Sequence, residues 1–227
     1  MHGMTRKRVN AGQSASQHRP AAIWRVGWLL AGLLWLVRPA LAAETKTIVF
    51  FGDSITAGYG LDSPDAAYPA LIQRKLDAAG LPWRCVNAGL SGETTAGGLR
   101  RLDWILRQPV DIFVIELGGN DGLRGIPVEN SRSNLQAMIE RIHAKYPHVT
   151  VVLAGMMLPT NLGADYTRQF AAIYPALAQT NHVTLIPFLL DGVGGVTSLN
   201  QADSIHPTAE GHQIVAETVW QVLKPLL

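Results

Sequence analysis

Five short apolar runs, at residues 48–51, 85–88, 110–117, 149–154 and 184–187, alternate along the chain with segments whose apolar positions recur at helical spacing. Those segments fall at about 69–79, 96–107, 131–146, 166–180 and 208–223. The short runs are continuous rather than alternately polar and apolar, as befits strands buried on both faces. Strands that alternate with helices predict a parallel sheet covered on both sides. The expected fold class is α/β: a single-domain, three-layer sandwich around a central parallel sheet of about five strands. The last helix, with Ile214, Val215, Val219, Val222 and Leu223 on one face, should dock on the sheet and hold the segment before it.

Open parallel sheets bind ligands outside the carboxyl ends of their strands. Polar motifs stand at three such ends: Gly52-Asp53-Ser54, Asn87-Ala88-Gly89 and Gly118-Gly119-Asn120-Asp121. Gly52 and Gly58 flank the serine, permitting a sharp turn and close approach to its hydroxyl. A serine attacks a carbonyl when a neutral imidazole takes its proton and a carboxylate orients that imidazole. Asp203-Ser204-Ile205-His206-Pro207 sets a carboxylate and an imidazole three residues apart, so one turn can present both. His212 is the other base candidate, but it falls inside the last helix, where a packed or solvated histidine is the ordinary outcome. A base must be neutral to act, so activity should fall in acid.

Reaction at a carbonyl also needs donors for the oxygen that becomes negative. The backbone N–H groups of Ser54 and Gly89 and the side-chain amide of Asn120 are the candidates, each such donor being worth about 2.7–4 kcal/mol in the transition state. Structural readings compete with each of these. Asp53-Ser54 can simply cap a helical turn, glycines at strand ends serve turns, Asn120 suits a left-handed turn, and Asp203 can cap the last helix. A metal site beginning at Asp53 is a further reading, but no carboxylate cluster accompanies it, and no metal or organic cofactor is implied.

Charge changes the picture once the first 42 residues are set aside. They hold six of the 19 basic residues and no acid, and they contain an apolar run of twelve residues, 26–37, followed by Ala40-Leu41-Ala42. That is the pattern of a secretory signal peptide, and the run is short of the roughly 20 residues a spanning helix needs. The expected division is a signal peptide at 1–42 and one domain at 43–227, with no stable membrane anchor after cleavage and a periplasmic or secreted destination. From residue 43 onward 13 basic residues face 17 acidic ones, a balance without the basic footprint of a nucleic-acid partner. The single cysteine, Cys85, cannot form an internal disulfide and reads as a small buried residue.

Four blocks carry a resemblance that spans about residues 45–225. They are Gly52-Asp53-Ser54-Ile55, Asn87-Ala88-Gly89-Leu90-Ser91-Gly92-Glu93-Thr94, Leu117-Gly118-Gly119-Asn120-Asp121-Gly122-Leu123-Arg124-Gly125 and Asp203-Ser204-Ile205-His206-Pro207. In order and spacing they resemble the GDSL or SGNH hydrolases, nearest to the bacterial periplasmic thioesterase I, lysophospholipase and arylesterase branch. The resemblance implies a flavodoxin-like sandwich, Ser54 as nucleophile, His206 as base and then acid, and Asp203 as orienter. It implies Ser54, Gly89 and Asn120 around the oxyanion. It further implies substrate contacts from a mobile loop at 121–127, including Asp121, Gly122 and Leu123, and from an acyl-contacting loop carrying Met156, Met157, Leu158 and Pro159. This chain has Met156-Met157-Leu158 where the thioesterase branch carries an arginine, a departure that bears on chain length and on any acidic headgroup. The same three residues can equally be core, and so can Phe188, Leu189 and Leu190.

The expected function is a serine esterase acting on a small acyl ester or thioester, including aryl esters and lysophospholipids. A carbohydrate O-deacetylase is the alternative within enzymes, and a noncatalytic secreted binding module the alternative outside them.

Overall fold

The computed structural model describes residues 44–227; the leader expected at 1–42 lies outside the described residues. Five strands, β1 (Lys46–Gly52), β2 (Trp83–Asn87), β3 (Ile112–Glu116), β4 (Thr150–Ala154) and β5 (Thr184–Ile186), form one parallel sheet in the order β2-β1-β3-β4-β5. Continuous apolar runs mark the three central strands, whose residues are buried almost throughout. The edge strands β2 and β5 are only partly covered, as their single-sided neighbours dictate.

The helices are α1 (Ser54–Ala57), α2 (Tyr68–Ala78), α3 (Thr95–Ile105), α4 (Gly119–Leu123), α5 (Val128–Lys145), α6 (Ala164–Asn181) and α7 (Ala209–Leu223). α2 and α7 pack together on one face of the sheet, and α3, α5 and α6 form a row on the other. Local chemistry sets the ends: the Thr94 and Thr208 hydroxyls accept the N–H groups of Gly97 and Gly211 and so cap α3 and α7. Helix α2 buries Tyr68, Ile72 and Leu76, one residue per turn, and the Tyr68 ring meets Phe50 of β1 edge to face at 5.4 Å. The five long helices match the sequence expectation to within three residues. Helices α1 and α4 are too short to carry a period; the capping pattern Asp53-Ser54 signalled the first, and nothing signalled the second.

The strand order places the functional edge. From β1 the chain crosses to β2 on one side, while β3 lies on the other, so the order of winding reverses between β1 and β3 and opens a crevice there. Gly52 ends β1 directly opposite Glu116, the end of β3. Helices α1 and α4 start at that point, bringing Ser54 and Asn120 together across 66 positions of sequence.

Candidate active site

Ser54 is the first residue of α1, and Asp53 is its cap. Asp53 Oδ1 accepts the Ile55 N–H at 3.0 Å, and Oδ2 accepts the Asn120 side-chain amide at 3.0 Å. The capping reading of Asp53-Ser54 therefore holds, and it does not compete with the chemical one, because the cap is what sets the serine at the helix start. Burial raises the Asp53 carboxyl to about 6, although the Ile55 N–H, the Asn120 amide and the charge of His206 all pull it down.

His206 reaches this turn from the loop before α7. Its Nε2 lies 2.8 Å from Ser54 Oγ, and its Nδ1 lies 2.6 Å from Asp203 Oδ2. The other carboxylate oxygen, Asp203 Oδ1, accepts the backbone N–H groups of Ile205 (2.9 Å) and His206 (3.0 Å), so one side chain shapes the loop and orients the ring. Ser204 adopts φ 59° to close this turn. Burial works to raise the Asp203 carboxyl, but the His206 ring and the two N–H donors outweigh it and hold the group at about 2. The cap of α7 is Thr208, not Asp203. His212 takes no part: it is buried in α7, its Nδ1 accepts the Tyr68 N–H at 3.3 Å, and burial, then the charge of His206, lowers it to about 4.

The three expected oxyanion donors fare differently. The Ser54 N–H opens α1 and has no acceptor among the described residues, and Asn120 sits in the first turn of α4, not in a left-handed turn, with one amide hydrogen beyond the bond to Asp53. Gly89 is a correction. Its N–H donates to Asn87 Oδ1 at 2.9 Å, and a Cβ there would come within 2.3 Å of the Ala57 nitrogen, so this glycine exists to let the loop pack on α1. Three residues on, Gly92 has φ 78° and an N–H without an acceptor among the described residues.

A cavity of about 680 Å³ opens over Ser54 and His206. Leu123, Met156, Leu158, Phe188, Leu190 and Ile205 supply its apolar wall, with Met157 and Pro159 at the same end. Leu189, by contrast, is core. The charged side chains that line it are Asp53 and Asp203. Two expected substrate contacts are again corrections. Asp121 is buried and points into the protein, where it accepts from the Thr95 N–H (2.8 Å), the Thr95 hydroxyl (2.6 Å) and Ser131 (3.3 Å), tying α4 to α3 and α5. Gly122 backs onto Leu158, whose side chain occupies the space a Cβ would need.

Two neighbours went unnoticed in the sequence. Glu116 closes β3 directly under α1, and Tyr59, just after α1, lies against His206. The signal for Glu116 was a lone carboxylate in an otherwise apolar strand, which is costly unless something uses it. No local signal marks Tyr59.

The chain is similar to known proteins. The model of the GDSL-like lipase/acylhydrolase family matches residues 50–214. The chain is 43% identical over 200 residues to the esterase TesA of Pseudomonas aeruginosa, covering 88% of this chain and 98% of that one. It is 35% identical over 201 residues to the thioesterase 1/protease 1/lysophospholipase L1 of Escherichia coli K12, covering 88% and 94%. Among solved structures, the crystal structure of TesA superposes with a TM-score of 0.77 at 43% identity, over 80% of this chain and all of that one.

Proposed function

The chain belongs to the GDSL-like lipase/acylhydrolase family, and on that premise we propose that it is a serine esterase, hydrolysing acyl esters or thioesters through an acyl-enzyme on Ser54. The observation that carries this reading is the continuous relay from Ser54 Oγ to His206 Nε2 (2.8 Å) and from Nδ1 to Asp203 Oδ2 (2.6 Å). With its Nδ1–H donated to an ionised Asp203, the neutral ring keeps Nε2 as an acceptor. Ser54 Oγ attacks the carbonyl as Nε2 takes its proton. The tetrahedral intermediate collapses when His206 returns that proton to the departing alcohol or thiol. A water, deprotonated by the same nitrogen, then attacks the acyl-enzyme, releases the acid and restores Ser54.

The negative oxygen is held by the Ser54 N–H and the second amide hydrogen of Asn120. Gly92 takes the place first expected of Gly89, since it is the glycine of that loop with an uncommitted N–H. The apolar wall from Leu123 to Ile205 fits an acyl chain, and Met156 and Met157 let it adapt to chains of different length. Such a lining disfavours the polar ring of an acetylated sugar. TesA and the Escherichia coli relative carry esterase, thioesterase and lysophospholipase in their names, in keeping with an acyl substrate.

No described helix is long and apolar enough to cross a membrane. The basic and apolar pattern of residues 1–42 supports export and cleavage, leaving the domain from residue 43 in the periplasm or medium.

Treating the protein with a fluorophosphonate and locating the adduct by mass tests the assignment. Labelling of Ser54, together with loss of chromogenic acyl-ester hydrolysis in Ser54→Ala, is the expected result. An adduct elsewhere, or an active Ser54→Ala, would reject it.

A further inference from the structure

Glu116 is fully buried at the end of β3, beneath the turn that carries Ser54. Its Oε2 accepts the Asp53 N–H at 3.1 Å and the Thr56 hydroxyl at 2.7 Å, and Thr56 Oγ1 also meets the Tyr68 hydroxyl at 2.8 Å. These two donors bracket Ser54 in sequence. A Cβ on Gly52 would lie 2.3 Å from the same Oε2, so the carboxyl occupies the room that the glycine leaves. The second oxygen, Oε1, is buried with no hydrogen-bond partner among the described residues. The titratable groups that bear on it are Asp53 after β1, Tyr68 on α2 and Tyr174 on α6; Arg101 of α3 reaches the same strand end, but its guanidinium is engaged by Glu93 and by the Gly52 and Ala88 carbonyls. An ionised carboxylate here would leave a bare charged oxygen in apolar surroundings, beside a second acid.

We propose that Glu116, in its uncharged form, is a positioning residue for the nucleophile: through the Asp53 N–H and the Thr56 hydroxyl it holds α1 so that Ser54 Oγ faces His206. The inference rests on Ser54 being the nucleophile. Neutrality matters because a carboxylate under α1 would oppose the negative charge that develops on a carbonyl oxygen held at the start of that helix. Burial, and then the charge of Asp53, push the Glu116 carboxyl well above its ordinary range, in accord with the bare Oε1. The carboxyl is thus a buried hydrogen-bond platform and takes no proton from substrate.

Glu116→Gln and Glu116→Ala in the exported protein test this, read by kcat and KM on a p-nitrophenyl acyl ester, by the rate of fluorophosphonate labelling, and by thermal unfolding across neutral and alkaline pH. Glutamine offers a neutral oxygen in the place of Oε2, so kcat should stay within about threefold, whereas alanine frees the turn and should cost at least about tenfold in kcat and labelling, with KM little changed. The stability readout has a definite sign. Above the ordinary glutamate value of 4.5 the folded protein keeps a proton that the unfolded chain has lost, so its stability declines as pH rises. Glutamine abolishes that decline, and the Tm of Glu116→Gln should gain on the parent with rising pH. Three results would overturn the proposal: glutamine as damaging to kcat as alanine, alanine as active as the parent, or a Tm difference independent of pH. Should Glu116→Ala fail to fold, the kcat and the pH-dependent Tm of the glutamine variant decide the matter. Ser54→Ala in the same assays keeps the two readings apart, since hydrolysis that persists there rejects the nucleophile, not the platform.

Discussion

The phenol ring of Tyr59 lies over the imidazole of His206, with ring centroids 4.7 Å apart and planes inclined at 47°. The Tyr59 carbonyl accepts from Gln201 Nε2 at 2.7 Å, and the Gln201 N–H donates to the His206 carbonyl at 2.7 Å, so Gln201 ties the exit of α1 to the histidine loop. An aromatic ring this close to the imidazole should favour the imidazolium that the proposed proton transfer from Ser54 would form.

Such a contact at a half-exposed site is worth about 0.5–1 kcal/mol, or about two- to fivefold in rate. Tyr59→Leu should lower kcat by that factor and leave KM nearly unchanged, while Tyr59→Phe should behave as the parent. Steady-state kinetics on one chromogenic ester are enough, and equal losses in both variants would show that the hydroxyl, not the face, matters.

Asp53→Asn should turn the oxyanion donor the wrong way. The Asp53 carboxylate accepts from both the Ile55 N–H and the Asn120 amide, but an asparagine has one oxygen for these two donors. The Asn120 amide must rotate to present its own oxygen, and kcat should fall by up to about 10²–10³, as when one oxyanion donor is removed. Stability moves the other way at neutral pH. Asp53 is raised from 3.8 to about 6, so across that window the folded parent holds a proton the unfolded chain releases, and its stability declines as pH rises. Asp53→Asn should show a shallower decline than the parent in thermal melts between those pH values, the remainder belonging to Glu116.

Asp203→Asn should cost about 10²–10⁴ in kcat, because an amide no longer fixes the tautomer that leaves Nε2 free. The Asp203 carboxyl is depressed to about 2, so its contribution to stability is present above the ordinary aspartate value of 3.8 and is lost as pH falls toward 2. A loss of activity at milder acid pH therefore does not belong to this carboxylate. A pH–rate profile whose acid limb followed Asp203 would contradict the assignment.

Gly52→Ala should destabilise the fold and silence the enzyme together. The new methyl would lie 2.1 Å from Thr56 Oγ1 and 2.3 Å from Glu116 Oε2, and the second contact is with a fully buried group. Overpacking of this kind costs about 1–3 kcal/mol. Denaturant unfolding measures that cost, and the rate of fluorophosphonate labelling shows whether the serine has moved.

Met157→Trp should shorten the acyl chain accepted. Met157 is half exposed where it lines the cavity, so a larger side chain there obstructs the mouth without disturbing the core. Across a series of p-nitrophenyl esters, kcat/KM should drop for long chains and hold for acetate. A uniform loss at every length would mean that the acyl chain runs elsewhere.

Much of this was legible beforehand for a physical reason. Strand runs such as 48–51 and 149–154 are continuous because both faces of the central sheet are covered, and burial on two faces leaves a mark that needs no knowledge of partners. The relay was legible too, since Gly52-Asp53-Ser54 ends a buried strand and Asp203 and His206 share one turn. Gly89 and Asp121 went astray because their donors and acceptors are claimed by Asn87, Thr95 and Ser131, competitors that the motif pattern does not rank. The glycine-rich stretch at 191–195 read as a surface loop, and it does turn there, yet Gly194 and Gly195 line the cavity and Val193 is core.

Period, strand ends and the short reach between Asp203 and His206 are properties of neighbouring residues, so the chain alone signalled the α/β order and the serine, imidazole and carboxylate that come within hydrogen-bond reach. Which hydrogen bonds remain open depends on groups that folding brings together from far apart. The sheet order set Glu116 beneath Ser54, laid Tyr59 on His206, consumed the Gly89 N–H and left that of Gly92 uncommitted. Tertiary structure decided these because a buried polar group is defined by what surrounds it in space, and that surrounding exists only once the strands have paired.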